Sequence, residues 1–383
     1  MHAIAVAALS ARLLAQATVE AGLDVIALDV FGDTDTIAAA THWLPIGTAQ
    51  TLRIDARLFL ETLEALARQD MVQGWVAGAG FEGRPELLEQ GSARLPLFGT
   101  SGANVRRVRD PKTFFDALGA SHVAHPGVRL DADASRAGWL VKDFAASGGT
   151  HIRRADSMPP AALTVSQYWQ REVQGTAMSA TFIGDGHHAA VLGCNEQIVQ
   201  PFGVSPYRFH GVVGPVAVPD AVRREVDRIV AVLTEAFALR GLASLDFMLV
   251  DGAVHVLEVN PRPPASMALY AHVGAGGAMR AHLNACRDGA LPGAAAAPGC
   301  VCGIEIVFAD RPLRLGAAAA AALANAAHTH DVPRGMSAAQ HEPHLRRGDP
   351  LCSVSASGAD AASVRSRLAR RRDALLQTLE AFQ

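Results

Sequence analysis

Three side chains near the middle of the sequence have the types and the spacing to bind a hard cation. Glu258 and Asn260 lie two residues apart in an apolar, β-branched segment, so a strand would point both to the same face. Asp246 lies in the preceding apolar segment, and Asp251-Gly252 between the two segments predicts a β-hairpin. Carboxylate and amide oxygens on one face suit Mg²⁺, which proteins usually hold with one or two carboxylates and nucleotide phosphates.

The length of the turn decides whether Asp246 joins the other two residues. A two-residue loop at Asp251-Gly252 would turn Asp246 away from Glu258. A three-residue loop that begins at Val250, with its glycine in a left-handed bulge, would place Asp246 opposite Val256 and on the face of Glu258. We adopt the three-residue loop; an ordinary hairpin with a polar end is the alternative.

The rarity of lysine singles out two further residues. Of 34 basic residues only Lys112 and Lys142 are lysines, which leaves 32 arginines. In such a background a lysine marks a position where a planar guanidinium does not replace a compact ammonium. Lys142 lies in a predicted strand and is followed by Ser147-Gly148-Gly149-Thr150. That loop predicts backbone N–H groups that close over phosphates while Lys142 reaches them, although a plain turn would read the same.

Five more residues are candidates for binding substrate. Ser10 and Arg12 follow the first predicted strand at a helix N-terminus, a usual place for an anionic group; a plain N-cap and a solvent-facing arginine are the alternative. Glu82 lies at the tip of the glycine-rich segment 78–85, which either covers substrate or only connects two elements. Arg208 with His210 is a candidate anion clamp, and an ordinary structural role is the alternative.

The elements that must position these residues fall into three regions. Up to about residue 100, short apolar strands alternate with amphipathic helices, which predicts a parallel sheet, and no Gly-x-Gly-x-x-Gly follows the first strand. From Asp110 a helix and a strand lead to antiparallel strands predicted at 179–183, 189–194 and 212–218, and then to a helix at 222–240 before the hairpin. Beyond Pro292, a strand at 300–308 and a helix at 361–382 predict a small α+β module.

Composition limits the class of protein and its partners. The 383 residues are half hydrophobic, yet no run of about 18 apolar residues occurs and the N-terminus lacks a basic start. We therefore expect a cytoplasmic protein without a membrane partner. The net charge of −3 argues against nucleic acid as a partner, and five cysteines without framework spacing predict reduced thiols.

In this order and spacing, the residues resemble the ATP-grasp ligases, in particular the biotin-carboxylase-related branch with the tyramine–glutamate ligases. The resemblance rests on the whole set: Lys112, Lys142, Ser147 to Thr150, the link from Gln170 to Val173, Asp246, Glu258 and Asn260. It implies an α/β fold with an N-terminal parallel-sheet domain at 1–104, an ATP-grasp domain at 105–291 and a C-terminal α+β module at 292–383. The ATP-grasp domain would divide into a small lobe, 105–172, and a large lobe, 173–291.

The resemblance also implies roles for individual residues. Lys112, Lys142 and the loop of Ser147, Gly148, Gly149 and Thr150 would contact ATP phosphates, and main-chain groups at Gln170, Arg171 and Val173 would hold adenine. Asp246, Glu258 and Asn260 would hold Mg²⁺, with Mn²⁺ able to replace it. Arg262 would face the γ-phosphate or an acyl phosphate and, with Lys142, act in catalysis. Asp143-Phe144, where many relatives have proline, departs from the pattern.

The reaction implied by the resemblance is ATP-dependent amide formation. A substrate carboxylate attacks the γ-phosphate, and an amine then displaces phosphate from the acyl phosphate. The substrates would be a small carboxylate, such as glutamate, and an amine, in the biosynthesis of a one-carbon carrier cofactor. A homo-oligomer would be compatible with the family. The alternatives are carboxylation with bicarbonate, as in biotin carboxylase, and an ATP-binding subunit without turnover. No Met-Lys-Met biotin-attachment sequence is present.

Overall fold

The computed structural model describes residues 3–48, 52–131, 136–158, 163–293, 299–334 and 344–382. Its N-terminal region contains a four-stranded parallel sheet of order β3-β2-β1-β6, with both faces of β1 and β2 buried. A parallel sheet buried on both faces requires near-continuous apolar strands, which is the pattern of these segments. The elements are β1 (Ala3–Ala7), α1 (Arg12–Glu20), β2 (Val25–Asp29), α2 (Thr34–Ala39), β3 (His42–Pro45), β4 (Gly47–Thr48), β5 (Arg53–Ile54), α3 (Ala56–Arg68), β6 (Val72–Ala77), α4 (Pro85–Ser92) and α5 (Gly102–Arg109).

The central region contains two antiparallel sheets that face each other across a cavity. The small sheet has the order β7-β10-β8-β9, and the large sheet begins β15-β14-β11-β12-β13. The elements are α6 (Pro111–Ala120), β7 (Val128–Arg129), β8 (Trp139–Asp143), β9 (Arg153–Arg154), β10 (Gln167–Arg171), β11 (Thr176–Asp185), β12 (Ala189–Phe202), β13 (Ser205–Val216), α7 (Asp220–Phe237), β14 (Arg240–Val250), β15 (Ala253–Asn260) and α8 (Gly277–Asp288). Short 3₁₀ helices lie at Ala155–Ser157 and Ala265–Tyr270.

The C-terminal region continues the large sheet. Strand β16 pairs with β13, so the sheet has eight strands and ends β13-β16-β20-β18. The elements are β16 (Val301–Phe308), β17 (Leu313–Arg314), α9 (Ala317–Asn325), β18 (Thr329–His330), β19 (His344–Leu345), β20 (Pro350–Gly358) and α10 (Ala361–Glu380). The parallel N-terminal sheet and the antiparallel sheets after it confirm the predicted α/β class. No helix among the described residues is long and apolar enough to cross a membrane.

The hairpin of β14 and β15 corrects the predicted turn. Val250 pairs with Ala253, so the loop has two residues, and Asp251 and Gly252 have φ of 49° and 83°. Positive φ at both central residues is typical of a type I′ turn, whose twist matches that of the strands. The register shifts between Asp246 and Phe247, and this bulge places Asp246 opposite Glu258 rather than Val256. The predicted register was wrong, yet the extra residue restores the predicted common face.

Candidate functional site

A cavity of about 560 Å³ lies between the small and the large sheet, within the ordinary size range of small-molecule sites. It brings together most of the residues that the sequence predicts for nucleotide and metal binding. Those that line it are Lys142, Gly148, Gly149, Gln170, Arg171, Val173, Asp246, Glu258, Asn260 and Arg262.

The three predicted metal ligands form one cluster on the large sheet. Asn260 Nδ2 donates to Asp246 Oδ2 at 3.1 Å, and Asp246 lies opposite Glu258 in the hairpin. Burial and the charge of Glu258 raise the pKa of Asp246. Burial also opposes ionisation of Glu258, but Lys142 and Arg109 outweigh it and lower the pKa of Glu258. Of the two carboxyl groups, Glu258 is therefore the one that ionises first.

Lys142 lies at the floor of the cavity, where it is 4% exposed. Its Nζ is 3.4 Å from Gln170 Oε1 and 3.8 Å from Glu258 Oε2. Burial disfavours the ammonium, but Tyr168 and Glu258 outweigh burial and raise the pKa of Lys142. A charged lysine so placed can stabilise negative charge on a phosphate.

Lys112, the other lysine, does not reach the cavity, which corrects the prediction that it contacts ATP phosphates. Lys112 is on the outer face of α6, its side chain is 70% exposed, and its Nζ pairs with Asp116 at 2.6 Å. Arg109, two residues before Pro111 at the start of α6, faces inward instead, with its Nη1 3.6 Å from Glu258 Oε2. Its Nε and Nη2 donate to the backbone oxygen of Phe144. Sequence reasoning missed Arg109, because it is one of 32 arginines and only its position near the start of α6 distinguishes it.

The predicted glycine loop packs against the large sheet. Gly148 and Gly149 have φ of 72° and 73°, and the Gly148 carbonyl accepts from the Phe209 N–H at 3.0 Å. A Cβ at Gly149 would lie 1.9 Å from the Tyr207 carbonyl oxygen, so no larger residue fits that approach. Ser147 and Thr150 flank the cavity without lining it, and the Thr150 carbonyl accepts from Ser205 Oγ at 2.8 Å.

The end of β10 and the residues just after it also line the cavity. Gln170, Arg171 and Val173, to which the family resemblance assigns an adenine contact, contribute to the wall. Gln170 is 2% exposed, and its Nε2 has no hydrogen-bond partner among the described residues. Both ring nitrogens of His151 also lack one, and burial lowers the pKa of His151 to about 4, so its imidazole is neutral. Unpaired buried polar groups are costly, so both side chains are candidates for contact with a ligand.

The donor set fits a hard cation held together with phosphates. The described residues contain no cluster of three or more His, Cys, Asp or Glu side chains arranged to hold a metal alone. Two carboxylates and an amide, beside Lys142, instead match the usual Mg²⁺ site, in which a nucleotide completes the coordination.

Ser10 and Arg12 do not reach this cavity. Arg12 is 5% exposed and donates from Nε to Asp331 Oδ1 at 2.8 Å and from Nη2 to Oδ2 at 3.1 Å. Ser10 Oγ donates to the same carboxylate at 3.2 Å. Both residues join the N-terminal region to the C-terminal region, and their partner lies more than 300 positions away in the sequence.

Arg208 and His210 also lie outside the cavity. Tyr207 and Phe209 line it, so the residues between and after them on β13 face the other way. The Arg208 guanidinium carbon is 3.6 Å from the centroid of the Phe308 ring, and burial lowers the pKa of His210 to about 4. These contacts to the C-terminal region replace the predicted anion clamp.

Glu82 lies next to the cavity without lining it. Its Oε1 accepts from Arg262 Nε at 2.6 Å, and Arg262 is a lining residue. The predicted substrate residue thus contacts a cavity-lining residue but does not line the cavity itself.

The central region matches a known family. Residues 110–266 match the family model described as an ATP-grasp domain. The chain therefore contains an ATP-grasp domain, and the resemblance predicted from the sequence is confirmed.

A curated relative matches about half of the chain, and solved structures extend the likeness of fold to nearly the whole chain. The carbamoyl phosphate synthase large chain of Hyperthermus butylicus is 24% identical over 207 residues, which are 54% of this chain and 18% of that protein. The chain thus spans less than a fifth of that relative. Carboxyaminoimidazole ribonucleotide synthase from Aspergillus clavatus, solved with ATP, has a TM-score of 0.69 and 13% identity, with 98% of this chain and 99% of that one covered. L-amino acid ligase from Bacillus licheniformis has a TM-score of 0.67 and 12% identity, with 97% of each chain covered.

Proposed function

We propose that the chain is an ATP-dependent ligase that activates a small carboxylate as an acyl phosphate and transfers the acyl group to an amine. The cavity carries the proposal, because one wall presents Lys142 and another presents Asp246, Glu258 and Asn260. That arrangement suits Mg·ATP, and bound Mg²⁺ would neutralise phosphate charge during transfer.

The chain's own groups then have distinct tasks. Lys142 stabilises the phosphates, and main-chain groups at Gln170, Arg171 and Val173 orient the base. Arg262 lines the cavity next to the metal cluster, where it can stabilise charge on the transferring phosphoryl group. Gly148 and Gly149 close over the phosphates and limit access of water, which would otherwise hydrolyse an acyl phosphate. No nucleophilic side chain is needed, since the substrate carboxylate attacks.

The substrates we propose are an amino acid such as glutamate and a small amine, in biosynthesis of a one-carbon carrier cofactor. The fold likeness to an L-amino acid ligase supports an amino-acid acceptor or donor. The cavity lining also includes the uncharged residues Ser179, Gln197, Val199 and Ser266.

The test is ADP release by purified protein with Mg·ATP, amino acids and a panel of amines. We expect release that depends on both substrates, a mass-spectrometric amide product, and a hydroxamate when hydroxylamine replaces the amine. ADP release that is independent of every carboxylate and yields no hydroxamate would reject the ligase reaction.

Carboxylation with bicarbonate is the second candidate, because the fold likeness includes a carboxyaminoimidazole ribonucleotide synthase. In the same assay, bicarbonate would then stimulate ADP release without an amino acid. Labelled bicarbonate would appear in the product.

A further inference from the structure

Glu82 is a buried carboxylate that has no assigned role in the proposed reaction. The side chain is 7% exposed; Oε1 accepts from Arg262 Nε at 2.6 Å, and Oε2 accepts from the Gly80 N–H at 2.7 Å. Although burial opposes ionisation, Arg262 and Arg109 outweigh it and lower the pKa of Glu82. The carboxylate is therefore charged and has a fixed partner.

The segment that carries Glu82 is held firmly by the N-terminal region. Phe81 is 2% exposed and packs on Phe59 and Trp75, with ring centroids 5.2 and 5.7 Å away. On the other side, a Cβ at Gly83 would lie 2.5 Å from the carbonyl oxygen of Ala145, in the segment that leads to the glycine loop. Glu82 thus sits on a packed support rather than on a free loop.

Arg262 keeps donors for a ligand after these contacts. Its Nε is used by Glu82, and its Nη1 donates to the Pro263 carbonyl at 3.3 Å. Nη2 makes no hydrogen bond among the described residues, and the side chain lines the cavity beside Asn260. An Nε–carboxylate bond restricts rotation of the planar guanidinium and so fixes where Nη2 lies.

We propose that Glu82 is a positioning residue, which acts through Arg262 and by which the N-terminal region completes the active site. The inference rests on the proposed function, since it gives Arg262 a role in phosphoryl transfer. Misplacement of such a group by about 1 Å can lower turnover by about 10²-fold. Glu82 would then affect kcat and leave the binding of Mg·ATP unchanged.

A double-mutant cycle of Glu82→Gln and Arg262→Gln tests the proposal. We expect Glu82→Gln to lower kcat by about 10–10²-fold with KM for ATP within about twofold of wild type. The double variant should be no slower than Arg262→Gln alone, because Glu82 acts only through that arginine. Glu86→Gln is the matched control, since Glu86 pairs with Arg84 on the surface of the same region and should keep wild-type kinetics.

Multiplicative losses in the double variant would overturn the proposal. So would a raised KM for the carboxylate substrate at unchanged kcat, because Glu82 would then contact substrate. If Glu82→Gln fails to fold, Glu82→Asp replaces it; a shorter carboxylate should give a smaller loss that again disappears in the Arg262→Gln background.

A readout without turnover separates this inference from the proposed function. In ¹⁵N NMR the Arg262 Nε–H, assigned with Arg262→Lys, should exchange slowly in wild type and fast in Glu82→Gln. Wild-type protein without turnover would reject the proposed ligase, whereas an active wild type with fast exchange at Arg262 would reject only the positioning role.

Discussion

Arg12–Asp331 and Arg262–Glu82 are two of the ion pairs that join the N-terminal region to later parts of the described chain, and they differ in the arginine donors that remain unused. All three guanidinium nitrogens of Arg12 donate inside the protein: Nε and Nη2 donate to Asp331, and Nη1 donates to Gln16. Arg262 uses Nε on Glu82 and still lines the cavity. Whether a buried arginine can bind a ligand therefore depends on whether its protein partners leave some of its N–H donors unused.

The largest effect on chemistry should come from Lys142→Arg. The longer planar fork cannot occupy the position of the ammonium without displacing phosphate, although the charge is kept. We expect kcat to fall by about 10²–10³, equivalent to about 3–4 kcal/mol. The melting temperature without ligand should be near normal and its rise with Mg·ATP much smaller. Wild-type ADP release and wild-type stabilisation by ATP would remove Lys142 from the site.

The largest effect on stability should come from Asp331→Asn, which leaves Arg12 buried without its charge partner. Removal of one member of such a pair costs about 3 kcal/mol of unfolding free energy, at the lower end because the Asp331 side chain is 23% exposed. Denaturant titration measures this loss, and the Kd for Mg·ATP should be unchanged. A weaker Kd with normal stability would instead make the Arg12 pair part of the functional site.

The same pair should also contribute to acid sensitivity. Burial opposes ionisation of Asp331, but the charge of Arg12 outweighs it and lowers the pKa of that carboxyl. A lowered folded-state pKa contributes stability above the ordinary value of about 3.9, which is lost as the pH falls through the folded pKa. Between pH 6 and pH 3, Asp331→Asn should therefore lose less stability than wild type. Parallel pH curves for the two proteins would contradict this.

Gly83→Ala should loosen the support of Glu82. The added methyl group would meet the Ala145 carbonyl at 2.5 Å, and such overpacking typically costs about 1–3 kcal/mol. We expect a lower melting temperature together with reduced kcat, because the segment must move away from the glycine loop. Gly119→Ala is the control, since its Cβ would meet nothing within 4 Å. Equal behaviour of the two variants would mean that the contact does not matter.

Local rules predicted much of the metal cluster. Strand parity places Glu258 and Asn260 on one face, and their residue types point to a cation. The register of Asp246 was not predictable in detail, because the bulge lies inside the strand and not at the turn. Asp246 lies on the predicted face of the sheet, but the strand register that places it there differs from the predicted register.

Contacts that depend on distant partners escaped prediction. Arg12 pairs with Asp331 across 319 positions, and no local pattern announces such a partner. Lys112 and Arg109 both flank the start of α6, and only the packed structure shows which of them faces Glu258. For Arg208, the direction of the side chain depends on register shifts along β12 and β13, which hydrophobic alternation alone does not reveal.

Calorimetric titration of Mg·ATP into Lys142→Ala and Lys112→Ala tests most directly whether this cavity is the nucleotide site. Both variants lose one ammonium, but Lys142 lies at the cavity floor and Lys112 lies on the surface beside Asp116. We predict that Lys112→Ala binds Mg·ATP with the wild-type Kd and that Lys142→Ala binds it at least about tenfold more weakly, a loss of about 1.4 kcal/mol or more. Wild-type binding by Lys142→Ala, or weakened binding by Lys112→Ala alone, would contradict the placement of ATP between the two sheets.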